Sequence, residues 1–130
     1  MLIVTGGKQQ FDTEDPIANV EILETDGTNI CSLPPLPAAR RGHSQTEIVI
    51  CGGRGVQVGN SCVSFLENDG EWQKTHTLSQ DRSMHSSWGS PKGVLLIGGW
   101  ASGKGIYSST ELLNDEGGTS SKFDLNHPVR

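Results

Sequence analysis

The chain has 130 residues, of which 33% are hydrophobic, 5% aromatic and 19% charged, with 17 glycines. That length suffices for one ordinary domain core, and a Gly-rich, aromatic-poor composition suits a turn-rich β-protein rather than a helical one. The net charge of −5 and the scatter of the Lys and Arg residues, with only Arg40-Arg41 adjacent, argue against nucleic acid as a main partner, and no apolar run approaches membrane-spanning length.

Met1 leads directly into Leu2-Ile3-Val4-Thr5, a β-type run closed by Gly6-Gly7. No basic stretch followed by an apolar core precedes it, so no signal peptide is read. Lys8 to Ile17 is irregular, Val20–Leu23 reads as a strand, and Asp26-Gly27 marks a tight turn. Pro34 to Arg40 connects to a second unit opening with Arg40-Arg41-Gly42-His43-Ser44. There the run Ile48-Val49-Ile50-Cys51 ends at Gly52-Gly53. The loop Arg54 to Asn60 is irregular, and Cys62–Leu66 is β-branched and aromatic, hence a strand. Asn68-Asp69-Gly70 predicts a type I′ hairpin turn, because Asp-Gly tolerates positive φ. Glu71–Thr75 is the returning strand. Thr77 to Asp81 leads to Arg82-Ser83-Met84-His85-Ser86, which opens a third unit. Its run Val94-Leu95-Leu96-Ile97 ends at Gly98-Gly99, followed by the loop Trp100 to Gly105. The strand Thr110–Leu113, the turn Glu116-Gly117, the stretch Asn126 to Pro128 and a third inter-unit Arg at Arg130 complete the chain.

Gly6, Gly52 and Gly98 stand at intervals of 46 residues. Periods of this size belong to propellers and solenoids. The units run at about 1–39, 40–81 and 82–130, and form a single repeat segment. Each predicts a four-stranded antiparallel sheet that buries its faces only by stacking on its neighbours; radial stacking of such sheets is a β-propeller.

The landmarks resemble the kelch repeat: an apolar run ending in Gly-Gly, a strand with a Tyr-like residue, a turn, a Trp, then an Arg leading the next blade. The second unit matches best, with Gly52-Gly53, Phe65 at the Tyr position and Trp72 at the Trp position. The first and third units carry Ile22 and Leu112 at the Tyr position, and Asn29 and Thr119 at the Trp position. Looser packing of their outer strands is therefore expected. In that family the Gly-Gly ends the second strand of a blade, and the ring closes by pairing strands from the two termini. By that phase the chain starts at a second strand. The resemblance thus implies an all-β partial propeller of about three four-stranded blades with the ring not closed and the remaining blades missing. Gly6, Gly7, Gly52, Gly53, Gly98, Gly99, Trp72, Arg40 and Arg82 are then structural repeat positions.

Chemistry-bearing motifs are few. Gly98 to Lys104 nearly spells a phosphate loop, but Gly105 replaces the Mg²⁺-binding hydroxyl and a strand-like segment follows instead of a helix. His43 and His85 recur in step without companion ligands, so they read as structural histidines hydrogen-bonded to backbone, and no metal or cofactor is expected. A copper-radical oxidase shares this fold, yet Tyr107 is the single tyrosine, so catalysis is not expected. Cys51 and Cys62 could face each other across a hairpin. A disulfide there implies an oxidising, extracellular setting; free thiols imply a cytoplasmic one. Cys31 has no evident partner. In kelch propellers the loops after the Gly-Gly strand and those leading into the next blade (here Pro34 to Arg40, Thr77 to Asp81 and Asn126 to Pro128) lie on one face that usually binds partners. Of these residues Arg54, Trp100 and Lys104 stand out, since Trp and Arg dominate binding hot spots. For Trp100 the alternative is packing on the adjacent loop. The expected function is a protein–protein interaction scaffold. The alternatives are a carbohydrate- or ligand-binding propeller segment of a secreted protein, or a non-catalytic part of a galactose-oxidase-like domain.

Overall fold

The computed structural model describes residues 2–8, 15–46 and 49–130. Residues 9–14 of the first loop, and Glu47 and Ile48 at the start of the second apolar run, lie outside the described residues. So do the side chains of Asn29, Ser121 and Lys122. The described elements are all β-strands, in three main antiparallel sheets and one short hairpin, and none of the sheets closes on itself.

The first sheet comprises β1 (Leu2–Thr5), β2 (Val20–Leu23) and β3 (Asn29–Leu33) in that order. The second comprises β4 (Ser44–Thr46), β5 (Val49–Cys51), β6 (Ser61–Leu66) and β7 (Glu71–Thr77), again in chain order. β8 (Ser86–Ser90) and β9 (Gly93–Ile97) begin the third. The chain then forms the hairpin β10 (Trp100–Ala101) and β11 (Gly105–Ile106) before β12 (Ser109–Leu113) and β13 (Thr119–Asp124) complete that sheet in the order β8-β9-β12-β13. Two details differ from the sequence expectation. The first sheet has three described strands, not four, and the loop after Gly98-Gly99 carries a hairpin of its own.

Each Gly-Gly pair ends a strand because the chain must turn there through positive φ, which L-residues resist. Gly52 has φ +62°, and a Cβ on it would strike the Arg82 carbonyl and the His85 ring. The second glycine of each pair donates its N–H to a linker carbonyl: Gly7 to Arg40, Gly53 to Arg82 and Gly99 to Val129. The N–H groups of Leu36, Leu78 and Leu125 donate in the same step to Ala18, Asn60 and Ser108. This ladder corrects the sequence register. The residue equivalent to Arg40 and Arg82 is Val129, not Arg130. The carbonyl that meets Gly99, not the side-chain type, sets the alignment.

The hairpin turn is corrected as well. Gly70 has φ +67°, whereas Asp69 is absent from the positive-φ residues, so the turn is not type I′. Both Asp69 and Gly70 donate to the Leu66 carbonyl, closing a four-residue loop with one left-handed glycine. Gly27 and Gly117 repeat that left-handed conformation.

Strand alternation divides the second sheet between two cores. Ile50 and Val63 are cross-strand partners facing the first sheet, where they pack with Val20, Leu36 and Trp72. Cys51 and Cys62 are the next pair and face the third sheet with Leu78, Leu96 and Leu113. Burying each such Leu, Ile or Val contributes roughly 1.5–3 kcal/mol. Phe65 and Trp72 pair across β6 and β7 at 5.4 Å in an edge-to-face arrangement. The Trp72 indole N–H donates to the Pro34 carbonyl at 2.8 Å, tying β7 to the linker that leaves the first sheet. The opposite faces of the outer sheets are uncovered: Leu2 and Val4 on the first and Trp88 on the third are exposed.

Candidate functional site

Arg40 and Arg82 are 1% exposed and occupy equivalent positions. The Arg40 guanidinium donates to the carbonyls of Gly52 (3.3 Å) and Ser61 (3.1 Å), and Arg82 donates to those of Gly98 (2.6 Å) and Ser109 (3.1 Å). Each arginine therefore fastens an inter-sheet linker to the glycine turn of the sheet that follows. Burial pushes the pKa of Arg40 down to about 10. Burial also lowers that of Arg82, opposed by the Glu111 carboxylate 3.7 Å from its Nε.

The sequence led us to expect His43 and His85 to hydrogen-bond to backbone; each has a hydroxyl as its side-chain partner. His43 Nε2 lies 3.0 Å from Thr5 Oγ1, and His85 Nε2 lies 2.7 Å from Ser44 Oγ. Each contact joins a strand residue of one sheet to the residue just before the first strand of the next. A Ser–His contact of this length resembles an activated nucleophile. Here Ser44 and His85 are both buried, and Nδ1 of His85 has no partner to orient the ring. Burial first, and the nearby arginine second, lower the pKa of each histidine to about 4. The rings are neutral at pH 7, which suits an inter-sheet hydrogen bond. Among the described residues no group of three His, Cys, Asp or Glu side chains could hold a metal ion.

Cys51 and Cys62 form a disulfide across β5 and β6, with Cα atoms 4.1 Å apart. Their pairing in register places the two Cβ atoms on one face, buried between the second and third sheets. Cys31 is free and exposed.

Above the glycine turns lies a cleft of about 510 Å³. It is positioned by the residue that follows each Gly-Gly pair. Arg54 exchanges both backbone hydrogen bonds with Arg41, and Trp100 does the same with Ser83. These bridges bring the 54–60 and 100–102 segments together over the linker at Asp81 to Ser83. The Arg54 guanidinium carbon sits 5.4 Å from the Trp100 ring centroid, a cation–π contact. Trp100 thus packs on the adjacent loop, as one of the two expectations had it, and also lines the cleft. Lys104 is not among the lining residues, since the β10–β11 turn carries it away. Residues 126–128 do not line it either.

Sequence reasoning placed Asp81 in a linker on the binding face but missed Arg41 as a lining residue. The available signal for Arg41 was positional: it follows the repeated arginine, as Ser83 does, and that position pairs with the residue after Gly-Gly. Among the described lining residues the cleft offers guanidinium donors, an indole face and the Asp81 carboxylate.

No protein-family model and no curated protein sequence matches the chain. Among solved structures, that of YjhT superposes with a TM-score of 0.71 at 17% identity, over 93% of this chain and 42% of that one. The chain thus spans less than half the length of that structure. At this identity the likeness concerns the fold alone.

Proposed function

We propose that the chain is a segment of a kelch-type β-propeller that serves as a binding scaffold, holding a protein partner at the loop end of its sheets. The observation that carries this reading is the Arg54–Trp100 pair at a 510 Å³ cleft built by the segments that follow two Gly-Gly pairs. Trp and Arg together in a partly enclosed site are the residue types that concentrate binding energy. The propeller reading is supported by the repeated hydrogen-bond ladder and by the likeness to a structure more than twice as long. The uncovered faces around Leu2, Val4 and Trp88 are where further blades would stack.

A second reading is favoured by the Cys51–Cys62 disulfide: a carbohydrate- or ligand-binding propeller segment of a secreted protein. The cleft volume also falls in the range of small-ligand sites. One experiment separates the two. The immobilised chain is screened against a random phage-displayed peptide library and against a glycan panel. Peptide enrichment that is lost in Arg54→Ala and Trp100→Ala, and kept in Lys74→Ala on the exposed face of β7, supports the first reading. Glycan binding with the same dependence supports the second. Enrichment that survives both cleft substitutions removes the cleft from the function.

A further inference from the structure

The two loop segments that meet at the cleft share a base and differ in what restrains them beyond it. Segment 52–61 is closed by the Gly52 N–H donating to the Ser61 carbonyl, and segment 98–109 by the Gly98 N–H donating to the Ser109 carbonyl. Arg40 grips the carbonyls of Gly52 and Ser61, and Arg82 those of Gly98 and Ser109. Beyond that base, segment 98–109 pairs with itself: Trp100 stands opposite Ile106 and Ala101 opposite Gly105. Segment 52–61 has no such hairpin, since none of residues 53–60 lies in a strand. It carries Gly52, Gly53, Gly55 and Gly59, and each glycine widens the range of conformations open to the free segment. Gln57 is held at φ +57°, a left-handed conformation that side chains disfavour. The restraint this segment does have is covalent and lies just below its base. Cys51 and Cys62 are cross-strand partners joined by the disulfide, whereas the equivalent pair below segment 98–109 is Ile97 and Thr110.

We infer that Cys51 and Cys62 position the cleft: their disulfide fixes segment 52–61, and in the dithiol form that segment leaves its cleft-lining conformation while the sheets stay paired. The inference rests on the proposed binding role of the cleft and adds a dependence on oxidation state. Gly53, Arg54, Gly55, Gln57, Gly59 and Asn60 all line the cleft and all lie within the loop that the disulfide closes. Closing a short loop removes the open conformations that a glycine-rich segment would otherwise populate. The contact of Arg54 with the Trp100 indole is made from inside that loop, so it is lost when the segment wanders. The sheets depend on the bond far less. β5 and β6 are in register through Val49 and Ser64 and through Ile50 and Val63 as well, and the latter two are anchored in the other core. As thiols, the two cysteines remain small apolar residues that suit their buried sites. Opening the bond is a two-electron exchange. A dithiol reductant delivers two electrons and two protons, ends as its own disulfide and leaves two protein thiols.

The test compares the whole chain in three forms: oxidised, reduced with dithiothreitol, and as the Cys51→Ala/Cys62→Ala variant. Iodoacetamide labelling followed by mass measurement verifies the state of the bond, with Cys31 as the free thiol labelled in every form. Amide exchange at residues 53–60 should accelerate by about tenfold or more in both forms that lack the bond, and by less in β5 and β6. The Trp100 indole resonance should move toward its position in an oxidised Arg54→Ala chain, because both changes remove the guanidinium from the ring. The reduced chain carries no substitution, so it separates loss of the bond from loss of side-chain volume. Unchanged exchange at 53–60 without the bond overturns the inference. So does an acceleration spread evenly over all three sheets, which would make the disulfide a general staple, or a Trp100 resonance that stays where it was. These readouts need no ligand. The binding reading fails separately, when the peptide and glycan screens show no dependence on Arg54 and Trp100.

Discussion

The two interfaces between the sheets follow one plan and differ in what surrounds the arginine. Between the first and second sheets, Arg40 bonds to carbonyls and a serine hydroxyl and lies next to an apolar core of Val20, Ile50, Val63 and Trp72. Between the second and third, Arg82 makes the same carbonyl bonds but also meets Glu111, which in turn accepts from the backbone N–H and hydroxyl of Ser79. The core there contains the disulfide with Leu78, Leu96 and Leu113. A repeated backbone device can thus be kept while its electrostatic surroundings change. At Arg82 an opposite charge balances the buried guanidinium; at Arg40, among the described residues, carbonyl and hydroxyl dipoles offset the lost hydration.

The largest expected difference comes from removing the arginines one at a time. Arg82→Met leaves Glu111 buried without its cation and should destabilise by about 3–5 kcal/mol. Arg40→Met strands no charge, and the Ser61 carbonyl still accepts from the Gly52 N–H, so about 1–2 kcal/mol is expected. Urea denaturation of both variants measures the gap; equal losses would erase the distinction between the interfaces.

Acid comes next. The folded pKa values of His43 and His85, about 4, lie below the ordinary 6.5, so the unfolded chain takes up protons first as pH falls. Stability should be full above pH 6.5 and decline between pH 6.5 and 4, by on the order of 3 kcal/mol for the more buried His85. His85→Gln should flatten that slope more than His43→Gln does. A pH series of unfolding curves reads this directly, and a flat profile in the parent chain would contradict the neutral-histidine account.

The disulfide ranks third. Replacing both cysteines by alanine should lower stability by about 2–3 kcal/mol, as expected for a short closed loop. The loss should appear as faster amide exchange in β9 and β12, which pack on it, before β1 and β2. The smallest effect belongs to the apolar interface. Trp72→Phe keeps the ring packing but leaves the Pro34 carbonyl without the indole N–H, for a loss of about 1 kcal/mol. A thermal melt unchanged by this substitution would show that the contact adds nothing.

Much of the architecture was legible in the residues because its determinants are local. Positive φ at Gly52, Gly98 and Gly70 demands glycine wherever those turns fall, so the period stands in the sequence whatever the packing. The apolar runs ending in Cys51 and beginning with Cys62 mark buried strands and leave the cysteines able to face each other, whereas their register pairing is a structural finding. The arginine and histidine positions were visible as repeats. Their partners were not, because Thr5, Ser44 and Glu111 lie 38, 41 and 29 residues away from them along the chain, and local pattern carries no such distance.

The sequence by itself determined the β-class, the glycine turns and the unit length, all of which follow from short-range backbone sterics and side-chain alternation. Tertiary structure alone decided three things. It assigned Val129 rather than Arg130 to the repeat position, because the Gly99 N–H selects a carbonyl and is indifferent to the side chain attached. It separated the two buried arginines by giving one of them a carboxylate. And it paired the backbones of Arg41 and Arg54 at the edge of a cleft, which happens only when the linker folds back across the glycine turn.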